Sequence, residues 1–209
     1  MTATHAIRCR CGQLKAEVSR PELGTRGVCY CRDCQAFAHF LRLPEGMLDS
    51  MGGTDIVAVR PRDVSFISGS EHLSCVSLTA QGMLRWYAGC CRTPIGNTPR
   101  DIRLSHVGLV RTCLESAGAE LDDFGPLKMS LNRQSARGEP PSVPPATFAA
   151  ALLRYFGALA WSRLSGAYKV NPFFETGTGT PRVDPKVLTD AEHAEIMRAV
   201  DAFRAQGRA

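Results

Sequence analysis

The chain has 209 residues, 44% of them apolar, and a net charge of +5 from 25 basic and 20 acidic side chains. That composition excludes intrinsic disorder, and basic residues spread without a Lys/Arg block argue against nucleic-acid binding. The length accommodates one ordinary domain with an extension, or two small ones.

The first residues, MTATHAIRCRCG, hold no apolar stretch of the kind a secretory leader needs, and no long apolar run marks a membrane span. The expectation is a cytoplasmic protein. Its thiols would stay reduced there, so nine cysteines favour metal ligation over disulfides. An odd count points the same way.

In AIRCRCGQLKAEV, residues 6–18, apolar positions recur with a period of two on either side of Gly12, which predicts two strands joined at a turn. On a strand, Cys9 and Cys11 would point to one side and could pinch one tetrahedral zinc, with two more ligands still required. CYCRDC then places Cys29, Cys31 and Cys34 round a tight bend, with Asp33 as the expected cap of a short helix over CQAFAHFL. A helix N-terminus beside thiols favours the thiolate. Three ligands without a local fourth is the pattern of a catalytic zinc with one open position. A distant cysteine could instead close the site and make the metal structural, and spacing leaves both readings open. His39 is the histidine nearest these cysteines, and an ordinary packed histidine is the favoured reading for it. Cys75 and Cys113 stand alone and are expected in the core.

Strand-like segments follow at 55–59, 64–69, 73–80 and 83–89, with Gln81-Gly82 as a hairpin turn, which predicts a meander of short antiparallel strands. The last runs into CCRTP, so Cys90 and Cys91 could meet the earlier cysteines at a metal.

The ordered motifs CRCG (9–12), CYCRDC (29–34) and CRTP (91–94) resemble those of the glutathione-dependent formaldehyde-activating enzyme family, which includes centromere protein V. The similarity covers about residues 6–112. It implies a β-tent of antiparallel strands holding up to two zinc ions. Cys9, Cys11 and Cys91 match structural ligands, and Cys29, Cys31 and Cys34 match the catalytic set. The family's late motif is C-x-x-C-G-[ST]-P, whereas this chain has Ala88 in place of the first cysteine and Arg92 in place of the glycine. Cys90 is the favoured substitute. Adjacent residues on a strand face opposite ways, so Cys90 and Cys91 could share a metal only from a turn.

The fold class expected is therefore mainly β, with a helical C-terminal extension: a zinc-binding domain over 1–132, a Pro- and Gly-rich linker or surface loop over 133–145, and helices over 146–209. ATFAAALLRYFGALAWSRL predicts a helix over 147–165 that is apolar nearly all round, so burial within the domain is expected and a homodimer contact is the second choice. In NPFFETGTGTPRVDP, Phe173 and Phe174 are expected to anchor to the core; a phosphate loop is rejected because no Gly-Lys-Ser/Thr follows. Thr189 and Glu192 form a capping box for a last helix that packs on one face.

The resemblance implies a zinc-dependent carbon–sulfur lyase acting on a thiol adduct such as S-hydroxymethylglutathione. Arg32, Arg85 and Arg92 are candidate carboxylate partners, though solvated surface charge is the favoured reading for each. The alternatives are a non-catalytic zinc-stabilised binding module and a redox pair at Cys31 and Cys34, the latter disfavoured by the missing βαβ context.

Overall fold

The computed structural model describes residues 4–115 and 124–206. It is mainly β, with helices packed around two sheets. Strands β1 (Thr4–Arg8) and β2 (Lys15–Ser19) form an antiparallel hairpin. A strand further along the chain, Val64–Ser68, pairs with β2 to complete a three-stranded sheet. Alternation sets the inner face: Ile7, Ala16 and Val18 are buried between exposed or half-buried neighbours.

The second sheet has eight strands. In chain order these are β3 (Thr25–Cys29), β4 (Thr54–Val59), β6 (Leu73–Ser77), β7 (Leu84–Ala88), β8 (Pro94–Thr98), β9 (Val107–Val110), β10 (Met129–Leu131) and β11 (Lys186–Val187), the Val64–Ser68 strand being β5. Spatially they run β10-β3-β4-β9-β8-β7-β6-β11. Of the four strands expected to form a meander only β6 and β7 pair in sequence, β5 joining the other sheet; the meander that forms runs from β6 through β9. The two edge strands, β10 on β3 and β11 on β6, are parallel additions from the second half of the chain. Between the sheets lies the main core, where Trp86 and Phe173 meet with ring centroids 5.3 Å apart and the indole donates to the Thr98 hydroxyl at 2.9 Å. Phe173 and Phe174 do anchor their extended segment there.

Helix α1 (Arg32–Phe40) follows β3 directly, and α2 (Pro44–Met47) and α3 (Arg111–Glu115) are short. The Thr189–Glu192 capping box opens α5 (Asp190–Ala205), which lies on α1: Ile196, Val200 and Phe203 cover Phe37, Ala38 and Leu41, and Arg32 pairs with Asp201 at 2.7 Å.

Three expectations are corrected. β1 stops at Arg8, so Cys9 and Cys11 sit in the turn after the strand, closed by the Gly12 amide donating to the Cys9 carbonyl at 2.9 Å. Asp33 does not cap α1; Cys31 does, its sulfur accepting from the Cys34 amide. Helix α4 (Pro145–Ser165) forms where expected but is not buried within the chain. It lies by β10 and His106 on one stripe only, and Ala151 and Ser162 are its only buried residues. Within the stretch read as a linker, Ala136 packs on Val28 and Tyr30, and the Arg137 amide donates to the Met51 carbonyl. No helix of the described residues is long and apolar enough to cross a membrane.

Candidate metal centres

Two groups of sulfurs converge. In the first, Cys9 and Cys11 come from the β1–β2 turn and Cys90 and Cys91 from the turn after β7, with all four Sγ atoms within 4.8 Å of one another. Cys90 Sγ lies 3.3 Å from that of Cys11 and 3.9 Å from those of Cys9 and Cys91. Two adjacent cysteines face the same point because the chain there is a turn: the amides of Cys91 and Arg92 both bond to the Ala88 carbonyl. Arg92 has φ +58, the left-handed conformation that glycine adopts without strain. The glycine expected at this position thus has a structural reason, and arginine takes its place at a cost.

Hydrogen bonds hold the two turns together. The Arg10 amide donates to the Thr93 hydroxyl at 3.0 Å, and the Arg10 guanidinium to the Cys91 carbonyl at 3.0 Å. Although burial works against it, hydrogen bonds from Thr93 and Cys11 bring Cys91 down to about 6. Burial pushes the Cys9 thiol up, and the Leu14 amide, donating to its Sγ at 3.3 Å, offsets part of that rise. Backbone N–H groups aimed at sulfur favour the thiolate that binds metal.

The second group is Cys29, Cys31 and Cys34, whose sulfurs also lie within 4.8 Å of one another. Cys29 ends β3, Cys31 caps α1 and Cys34 lies in its first turn. Gln35, fully buried, fixes the bend by donating to the Tyr30 carbonyl at 2.9 Å and the Ser135 carbonyl at 3.2 Å. Hydrogen bonds with Cys29 and Cys31, and the Arg85 guanidinium, hold Cys34 well below the usual thiol range. Hydrogen bonding to Cys29 and Cys34 pushes Cys31 up in turn.

Arg85 is the residue that sequence reading misjudged. It is 3% exposed, not a solvated surface charge, and its Nη1 lies 3.9 Å from Cys34 Sγ and 3.2 Å from Asn97 Oδ1. Its Nη2 is 3.6 Å from the Asp33 carboxylate, and the guanidinium stands over the Phe37 ring. A buried cation needs anions around it, so Arg85 favours charged sulfur at Cys34. Asn132, from the turn after β10, donates toward Cys29 Sγ at 3.5 Å. β7 is buried at four of its five positions, so the only available signal for Arg85 was its place between the apolar Leu84 and Trp86; nothing in the sequence links Asn132 to a cysteine 103 positions away.

The remaining candidates fall elsewhere. His39 packs edge-on against Phe203 of α5 and belongs to neither sulfur group. Arg32 pairs with α5, and Arg92 reaches the Phe40 carbonyl. Cys75 and Cys113 are buried alone. Sulfur donors in these groupings suit soft or borderline ions such as zinc: four converging thiols make a closed tetrahedral set and three leave a position free. Both clusters could therefore hold metal ions.

The profile of a family of unknown function, DUF6151, matches residues 1–184. Among curated proteins none matches the chain. A structural-genomics crystal structure of a Rhodobacter sphaeroides protein is similar over 60% of this chain and 98% of its own, at 17% identity and a TM-score of 0.39.

Proposed function

The chain belongs to a family of unknown function, DUF6151, and from its own side chains we propose that it is a zinc-dependent enzyme of carbon–sulfur chemistry, a lyase acting on a thiol adduct such as S-hydroxymethylglutathione. The observation that carries this reading is the contrast between the clusters: four sulfurs converge in one, and three in the other, with no fourth His, Cys, Asp or Glu donor grouped with them among the described residues. The substrate class follows from the resemblance of the cysteine motifs.

Cys9, Cys11, Cys90 and Cys91 would hold a structural zinc; Cys29, Cys31 and Cys34 would hold a second. That second ion would supply Lewis acidity, lowering the pKa of a substrate thiol. Three thiolates and one dication sum to a single negative charge, which the buried Arg85 balances. Asn132 orients Cys29 from the far side. Asp33, more than half exposed on the first turn of α1 and 3.6 Å from Arg85, would be the carboxylate that takes the proton. When a hydroxymethyl thioether breaks down, the O–H proton goes to that carboxylate, its electron pair forms the carbonyl, and the C–S pair leaves on sulfur as thiolate.

A second reading, a non-catalytic zinc-stabilised module, is favoured by one observation: Cys29 and Cys34 are buried and only Cys31 is partly open. Cobalt substitution separates the two. An open central site changes its cobalt spectrum when glutathione is added, and the zinc form releases formaldehyde from S-hydroxymethylglutathione faster than buffer does. Two metals per chain with neither response would leave the binding module.

A further inference from the structure

Helix α4 shows two unlike faces. Its inner stripe rests on the sheet, with Tyr155 edge-on to His106 at 5.1 Å. On its outer stripe Leu153, Phe156, Trp161 and Leu164 are 77%, 60%, 64% and 85% exposed. The outer row Ala150, Leu153, Gly157, Trp161 and Leu164 is spaced by three, four, four and three residues, symmetric about Gly157, and all five are exposed. No charge interrupts that row. Arg154 lies beside it and is drawn inward, donating to the Leu23 carbonyl at 2.7 Å.

Gly157, in the middle of this row, weakens the helix. The chain itself gives no reason for it, since a Cβ there would meet nothing within 4 Å. A neighbouring helix that approaches closely at that point would supply the reason.

We infer that α4 pairs antiparallel with α4 of a second copy of this chain, with the two-fold axis passing at Gly157. Residues equally distant from position 157 then face each other, so Ala150 meets Leu164 and Leu153 meets Trp161, while Gly157 meets itself. Large faces small toward the ends, and the helices approach most closely at the centre. The four large side chains and the intervening alanines offer about 600 Å² per copy, ~1,200 Å² in total, which reaches the lower bound for a specific interface. A reversible dimer of micromolar affinity is expected, and it is independent of what the cysteine sites do.

Sedimentation velocity on the metal-loaded full chain, over roughly 1–100 µM to bracket such an affinity, tests this. Wild type is expected to dimerise. Leu153→Glu and Trp161→Lys, both at exposed positions, should each be monomeric with an unchanged circular dichroism spectrum. An equimolar mixture of the two should dimerise again, because one 153–161 contact becomes an ion pair and the other remains native. Four results would overturn the inference: a wild type monomeric throughout, a dimer that survives both substitutions, a mixture that stays monomeric, or a wild type that associates only with phospholipid vesicles.

Discussion

Arg92 shows how much one residue can reveal about a turn. With φ +58 it occupies a conformation that disfavours any side chain. Its guanidinium contact with the Phe40 carbonyl is exposed and long, at 3.4 Å, so it compensates little. Arg92→Gly is therefore expected to stabilise the fold by about 1 kcal/mol, raising the melting temperature by ~2–4 °C in a chain of this size. A calorimetric scan showing no rise would mean the side chain has a role the geometry does not display. Cys90 is the second informative residue. Cys90→Ser should lower the metal content by one ion per chain, read by elemental mass spectrometry on protein purified without an affinity tag, and lower the melting temperature with it. Neighbouring sulfurs at 3.3 to 3.9 Å are the basis for that expectation.

Among the elements, those with a local sequence signal were legible and those defined by distant partners were not. The capping box of α5 was readable because its donors and acceptors lie within four residues: Thr189 accepts from the Glu192 amide, and Glu192 accepts from the Thr189 amide. Thr189→Ala should cost about 1 kcal/mol in urea unfolding. Strands β10 and β11 carry no such signal, being three and two residues long and existing only through parallel pairing with β3 and β6. The length and ends of α4 were legible and its burial was not, because apolarity says that a helix needs a cover without saying which chain supplies it. His106 gives the junction of α4 and β9 a pH dependence. Burial against Tyr155 lowers it to about 4, so it is neutral in the fold, while the unfolded chain takes up the proton near 6.5. The unfolded state then binds more protons, and stability falls as pH drops through 6.5, levelling off below about 4. The loss is on the order of 3 kcal/mol. His106→Gln should flatten that part of the stability–pH curve relative to wild type.

For the whole molecule, the cysteine framework was the most legible feature and its electrostatic surroundings the least. Spacing marked the short runs Cys9/Cys11, Cys29/Cys31/Cys34 and Cys90/Cys91, while the meeting of the first run with the last was implied by the motif resemblance and is a geometry the fold supplies. Arg85 and Asn132 reach the central cluster from 51 and 103 positions away, through sheet pairings that no local pattern encodes. The first cluster ties the three-stranded sheet to the end of β7, so removing metal should affect the entire fold. Structural zinc contributes on the order of 10 kcal/mol in small modules, as much as the whole stability of a typical domain. Chelation is therefore expected to abolish the cooperative thermal transition, and a transition that persists unshifted would show the sulfur clusters to be ornaments of an already stable core.

The span of that first cluster has a consequence for synthesis. Cys9 and Cys90 are 81 positions apart, whereas Cys29 to Cys34 lie within one bend. On a ribosome adding ~5–20 residues per second, Cys9 and Cys11 wait about 4–16 s before their partners are even made. The central triad is complete within the first 34 residues and can capture an ion while the other half-site is still waiting. Order of translation would thus become order of loading: the site proposed for chemistry would fill first, and the site that ties the sheets together would close last.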